Sequence, residues 1–196
     1  MKAQLRAGLT VFVLLTLLTG AVYPALVTLV AQGMFHHRAN GSILERDGKP
    51  VGSELIGQTF DDPRYFWGRP SATDPVSYNA ASSNGSNRGP TNPDLLKDVA
   101  ERVKAIRTAH PDQDGPVPVD LVTASASGLD PHIAPAAAEY QTQRVAKARD
   151  LTENVIRQLI QEHTENRTFG LLGEPRVNVL KLNLALDALG AKAKVR

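Results

Sequence analysis

The 196-residue chain contains no cysteine, which excludes disulfide scaffolds, Cys-ligated zinc, iron–sulfur clusters and thiol nucleophiles. Its soluble portion also lacks any excess of charge. The formal net charge is +2, from 22 Lys and Arg against 20 Asp and Glu. Lys2 and Arg6 carry all of it, because removing those two leaves 20 bases against 20 acids from His36 onward. A nucleic-acid partner requires a concentrated basic face, so none is expected. No G-x-x-x-x-G-K-[ST] and no G-x-S-x-G pattern occurs, which argues against autonomous ATP hydrolysis and against a nucleophile elbow. With 42% apolar and 21% charged residues, the chain is also too apolar and too evenly charged to be intrinsically disordered.

Charge is likewise missing from the 29 residues between Arg6 and His36. That run includes VFVLLTLLTGAVYPALVTLVA, and a helix needs only about 20 apolar residues to cross the hydrocarbon core. The expectation is a membrane anchor over residues 1–35, with the transmembrane helix at about 8–31 and a kink at Pro24. A cleaved signal peptide would exit near Thr19-Gly20-Ala21 and then turn polar. Here Leu26, Val27, Leu29, Val30, Met34 and Phe35 keep the sequence apolar, so an uncleaved anchor fits better. Lys2 and Arg6 face Arg38, Arg46 and Lys49, so basic residues do not decide the orientation. Long following domains translocate largely regardless of charge, and the expected arrangement is N-terminus inside and domain outside, in the cell (inner) membrane.

Residues 36–196 suit a single core. His36 to Val51 reads as a tether with a turn at Asp47-Gly48, and Tyr65, Phe66 and Trp67 read as core. Gly68 to Pro93 is rich in Gly, Pro, Ser and Asn and reads as an ordered loop or a series of turns, long enough to signal a functional surface loop or local disorder. Asn92-Pro93-Asp94 is a helix start, with an N-cap, a first-turn proline and an acid at the positive dipole end. Leu95, Leu96, Val99, Val103 and Ile106 then mark one buried face, and Pro111 ends the helix. A second helix begins near Pro131 to Pro135 and runs to about Arg149, with Ala134, Ala138, Val145 and Ala148 beside Gln141. A buried Gln141 would need a polar partner. A third helix starts at Thr152 and buries Val155, Ile156, Leu159 and Ile160. VPVDLVT (117–123) reads as a strand. So does RVNVLKLNLALD, where Leu180, Leu182, Leu184 and Leu186 alternate with Lys181, Asn183, Ala185 and Asp187, although Leu-rich sequence of this kind also forms helices. The expected fold is a single N-terminal transmembrane helix followed by one mixed α/β soluble domain with about three helices and a small sheet.

Chemistry-bearing residues are sparse. ASASGLDPH holds Ser125, Ser127, Asp130 and His132, from which a membrane-tethered serine-type hydrolase using Ser127, Asp130 and His132 can be drawn. Residues so close in sequence rarely converge as nucleophile, base and orienter, and turn-forming bonds to the backbone are the simpler role. SSNGSNRGPT (82–91) offers amides and Arg88 to a phosphate, yet reads more simply as stacked turns or a docking surface. His36-His37 has no third ligand nearby, so no metal site is expected.

The ordered set LLTGAVYPALVT, GSELIGQTF, YFWGRPSA, YNAASSNGSNRGPTNPDL, VPVDLVTASASGLDPHIAP and GEPRVNVLKLNLALD resembles the C chain of the Kdp potassium-transporting P-type ATPase. The resemblance covers nearly the whole chain, and its Asn-rich and TASASGLDPHI segments are the most distinctive. It implies a single-span accessory subunit, not an enzyme alone, acting with a potassium-conducting A subunit, an ATP-hydrolysing B subunit and a small F subunit. One role proposed for the family is a catalytic chaperone that raises the ATP affinity of the catalytic subunit, so ATP is a possible ligand in the complex. That role needs a cytoplasmic domain and conflicts with the expected orientation; an external domain would instead cap the mouth of the conducting subunit. The candidate partner-contact or nucleotide-binding residues are Asn79, Asn84, Asn87, Arg88, Asn92, Ser125, Ser127, Asp130, His132 and Gln141.

Overall fold

The computed structural model describes residues 1–194. The chain forms two compact units, Met1–Leu44 and a domain from Glu45 onward.

The first unit is dominated by one helical rod, Lys2–Met34, long and apolar enough to cross a membrane. It consists of α1 (Lys2–Leu17), a π turn (Leu18–Val22) and α2 (Tyr23–Met34). At 1.5 Å per residue the rod is about 50 Å long, more than the roughly 30 Å of a hydrocarbon core. Beyond Arg6 its side chains are all uncharged, and the first 30 residues are all exposed. Just before Pro24, where a kink was expected, the helix carries the π turn. Proline lacks an N–H and its ring clashes with the carbonyl four residues back, so the preceding turn widens. A short helix, α3 (His36–Ala39), follows.

The division between the units falls inside a hairpin of β1 (Ile43–Arg46) and β2 (Lys49–Ser53). Its turn is the expected Asp47-Gly48, and both residues have positive φ, 54° and 72°, the pair of left-handed conformations that a tight two-residue hairpin requires.

In the domain, α4 (Pro93–Ala109) begins where expected. The Asn92 side chain accepts from the N–H groups of Asp94 and Leu95, and Pro93 occupies the first turn. Its C-cap is His110, one residue before Pro111. Helices α5 (Pro135–Arg149) and α6 (Glu153–Glu162) pack against each other. Ile156, Leu159 and Ile160 are buried, whereas Val155 is 38% exposed and lies off the core face. A three-stranded antiparallel sheet places β5 (Arg176–Asn178) between β3 (His132–Ile133) and β4 (Thr164–Glu165). Ile133 and Thr164 both face Val177 across it.

Two expected strands are corrected. Residues 117–123 form an extended approach and a 3-10 turn at Val119–Leu121, because Pro116 and Pro118 lack the N–H groups a ladder needs. Beyond β5, the Leu-rich run is a fourth helix, α7 (Val179–Lys194). Asn178 starts it by accepting the Lys181 N–H. Val179, Leu182, Asn183 and Leu186 are buried, a three-and-four spacing that the every-second-residue leucines conceal. The core joins these elements through Phe66, Ile133, Val145, Ile156, Val177, Leu182 and Leu186, each at most 1% exposed.

Candidate functional site: the interlocked polar loops

The Tyr65–Trp67 segment is held from two sides by side-chain amides. Gln141, fully buried on α5, accepts the Trp67 N–H at 2.8 Å and donates to the Trp67 carbonyl at 3.1 Å. Asn183 on α7 does the same to Phe66, at 2.8 and 3.0 Å. Each amide therefore acts as a one-residue strand partner, which fixes the chain that leads into the long loop. The Gln141 oxygen also accepts from Arg144, whose guanidinium lies 4.2 Å from the Trp67 ring centre and whose Nε donates to His110 Nε2 at 2.9 Å. His110 is 3% exposed. Its Nδ1 is 2.7 Å from the Ile106 carbonyl, so that nitrogen carries the proton and Nε2 is the acceptor. Burial pushes the His110 pKa down, the Ile106 carbonyl partly opposes this, and the Arg144 charge adds to the fall. Burial also lowers Arg144, to about 10.

From Gly68 the loop folds against the second distinctive segment. Ser71 Oγ accepts from the Tyr78 N–H and donates to the Gly128 carbonyl at 2.7 Å. Both the Asn84 N–H and the Ser83 hydroxyl reach the Ser127 carbonyl, at 3.0 and 2.9 Å. Gly57 donates to the Leu129 carbonyl at 2.8 Å. Glycine is required where these segments cross. A Cβ on Gly85 would sit 2.7 Å from the Ala126 carbonyl oxygen, and one on Gly128, at φ +68°, would sit 2.6 Å from that of Asn84.

Next to the crossing, half-buried, lies Asp130. It accepts from Arg69 at 3.1 Å and from the His132 N–H at 3.0 Å, with His132 Nδ1 at 3.4 Å. Arg69 also reaches the Ala124 carbonyl. Burial pushes the Asp130 carboxyl up, but the two His132 hydrogen bonds and the Arg69 charge outweigh it and hold the group below its ordinary value. Tyr78, which donates to the Arg69 carbonyl, is pushed up to about 12 by burial and by the Asp130 charge. Beside this cluster is a shallow depression lined by residues including Leu55, Arg69, Ser127 and Asp130.

The candidate residues thus separate into three places. Asn84, Ser125, Ser127, Asp130 and His132 belong to the crossing and the cluster beside it. Asn79 is near it in the same loop, accepting from Ala81 N–H and donating to the Asp74 carbonyl. Arg88 pairs with Asp98 on α4, Asn92 caps that helix, and Asn87 is exposed at positive φ. Gln141 is a core residue. The two serines point into local turns: Ser125 Oγ accepts the Gly128 N–H and Ser127 Oγ accepts the Leu129 N–H. Among the described residues, no hydrogen bond joins either serine to His132, and no group of three or more His, Asp or Glu is placed to hold a metal ion.

Three features were not singled out in the sequence. Asn183 and Asn178 hide within the leucine run; an Asn immediately before a helix-forming stretch is the N-cap signal that locates Asn178. The third is the β4–β5 turn, where Phe169, Leu171 and Leu172 are 90%, 80% and 63% exposed. An Arg167–Glu174 ion pair closes its base.

Residues 5–188 match the family model described as K+-transporting ATPase, c chain. Curated relatives bear the name potassium-transporting ATPase KdpC subunit. One from Methylococcus capsulatus is 62% identical, covering 94% of this chain and 97% of its own length. A relative from Burkholderia ambifaria is 59% identical over 97% and 99%, and one from Sorangium cellulosum is 60% identical over 95% and 98%. A match of this extent, carried through the apolar N-terminal helix, the crossing loops and the final helix, establishes that the chain belongs to the c-chain family of potassium-transporting ATPases.

Proposed function

We propose that this chain is the membrane-anchored, non-catalytic accessory subunit of an ATP-driven potassium uptake complex, needed for its assembly and activity. Its partners are the potassium-conducting A subunit, the ATP-hydrolysing B subunit and the small F subunit. The observation that carries this reading is the loop crossing with the Arg69–Asp130–His132 cluster beside it. The polar side chains from which a catalytic centre could be assembled are spent on each other and on backbone groups, so they hold two loops in register. A rigid, polar surface of this kind suits docking to a partner.

The anchor is read as a single span, with the N-terminus cytoplasmic and the domain outside. In that position the domain caps and stabilises the external side of the conducting subunit. The alternative role, raising the ATP affinity of the catalytic subunit, needs a phosphate site on the cytoplasmic side. Arg69 and Arg88 already pair with Asp130 and Asp98, which favours the stabilising role.

Deleting this chain tests the proposal: the remaining complex should lose its potassium-stimulated ATP hydrolysis, and full assembly and activity without it would overturn the reading. Reporters fused after Arg196, active only in the cytoplasm or only outside, test the orientation. Trp67 emission during ATP titration of the full chain tests for direct nucleotide contact.

A further inference from the structure

The rod Lys2–Met34 departs from α geometry at the π turn Leu18–Val22. There the Tyr23 N–H donates to the Leu18 carbonyl, one residue further back than in an α-helix. The Thr19 carbonyl thereby loses both partners that a helix offers. Its α partner, Tyr23, is engaged elsewhere, and its π partner is Pro24, which has no N–H. The neighbouring hydroxyl does not repair the loss, because Thr19 Oγ1 donates to the Leu15 carbonyl at 2.7 Å. Hydrocarbon supplies no donor, and freed backbone groups within a bilayer are re-satisfied by local hydroxyls, water or neighbouring helices. Next to this carbonyl is Gly20, where an added Cβ would meet nothing within 4 Å. Bare backbone at that point lets another helix come close.

We propose that the π turn is a docking site for a transmembrane helix of another subunit of the ATPase, which brings a side-chain hydroxyl or amide donor onto the Thr19 carbonyl. The inference rests on the reading of Lys2–Met34 as a membrane span. Lipid chains have no donor, and the chain belongs to a family named as one chain of an ATPase, so a helix of another of its chains is the occupant proposed and a second copy is an outcome of the test. A heterologous helix with a Ser, Thr, Asn, Gln or Trp at the contact satisfies the group.

The absence of native cysteine makes the test direct. Thr16→Cys and Tyr23→Cys place a benzophenone label on the Thr19 side of the rod, one turn to each side, while Leu14→Cys and Ala21→Cys place it on the opposite side. In native membranes containing the whole complex, photolysis should attach Thr16→Cys and Tyr23→Cys to another ATPase subunit several-fold more than the other two. Pro24→Ala returns the Tyr23 N–H to Thr19 and removes the need for a donor. Recovery of the partner subunits in detergent should then fall about threefold, the range of one interhelical hydrogen bond. Gly20→Ile should lower it further by blocking close approach. Equal labelling from both sides, adducts only with a second copy of this chain, or unchanged recovery for both substitutions would overturn the docking site. Alkaline extraction separates the two levels: retention of the chain with uniform labelling removes the docking site alone, whereas release from the membrane removes the anchor reading as well.

Discussion

Gln141 holds Trp67 by both backbone groups, accepting its N–H at 2.8 Å and donating to its carbonyl at 3.1 Å from a site with no solvent exposure. A buried backbone polar group left without a partner costs about 1–3 kcal/mol. Gln141→Leu orphans two such groups at once and also takes an acceptor from Arg144. The substitution should lower the stability of the detergent-solubilised full chain by about 2–5 kcal/mol. Trp67 is the only tryptophan, so its emission during denaturant titration reads the effect at the site itself. Asn183→Leu should behave alike through Phe66, and because both amides hold one short segment, the double variant should lose less than the sum.

That relationship was half visible in the sequence. Gln141 stood on an apolar face, and a buried amide there had to find a partner; Asn183 gave no such sign, because the leucines around it alternate as in a strand. The difference is physical. Leu180, Leu182, Leu184 and Leu186 carry apolar side chains at period two, but α7 buries Leu182 and Leu186 fully while leaving Leu184 partly exposed. The backbone is settled by the Asn178 cap and by leucine's helix propensity, not by alternation. Helix α4 was legible from its cap and first-turn proline; of its expected apolar stripe Ile106 is buried, Leu95, Val99 and Val103 are half-buried, and Leu96, 57% exposed, lies off the core face. The crossing of residues 83–85 with 126–128 was not legible, since about 40 residues separate segments whose partners are mostly backbone groups.

His110 makes the domain sensitive to mild acid. Its Nε2 accepts from Arg144, so protonation would turn the acceptor into a donor facing a cation. The folded pKa lies below the ordinary 6.5, and the unfolded chain therefore takes up the proton first. Stability is full above 6.5 and declines as pH falls below it towards the depressed folded value. Denaturant midpoints measured across that interval should drop for the parent chain. His110→Gln, which keeps an acceptor but does not titrate, should flatten the profile.

The crossing depends on glycine for space as well as for conformation. At Gly128, a Cβ would lie 2.5 Å from Thr73 Cγ2 and 2.6 Å from the Asn84 oxygen, on a backbone with φ of +68°. Gly128→Ala should cost about 1–3 kcal/mol and loosen residues 83–85, which hydrogen exchange at the Asn84 amide would register as faster. Gly115 has nothing within 4 Å of an added Cβ and no left-handed backbone. Gly115→Ala should leave the stability within about 0.5 kcal/mol of the parent.

Asp130 distinguishes a bracing cluster from a catalytic one. Its carboxylate serves Arg69 and the His132 N–H together, and Asp130→Ala should destabilise the full chain by about 1–3 kcal/mol by leaving a partly buried guanidinium without its partner. The folded carboxyl is held below the ordinary 3.8, so its contribution is present above that value and disappears as pH falls through the depressed one. Asp130→Asn should therefore lose less stability than the parent over that acid interval. If His132 acted as a base, His132→Ala would abolish a hydrolytic activity in a well-assembled chain. If it braces the turn, the same substitution costs stability, and potassium-stimulated ATP hydrolysis per assembled complex is unchanged. Measuring that ratio alongside the yield of complex separates the two, because a bracing residue alters how much complex forms and a catalytic one alters what each complex does.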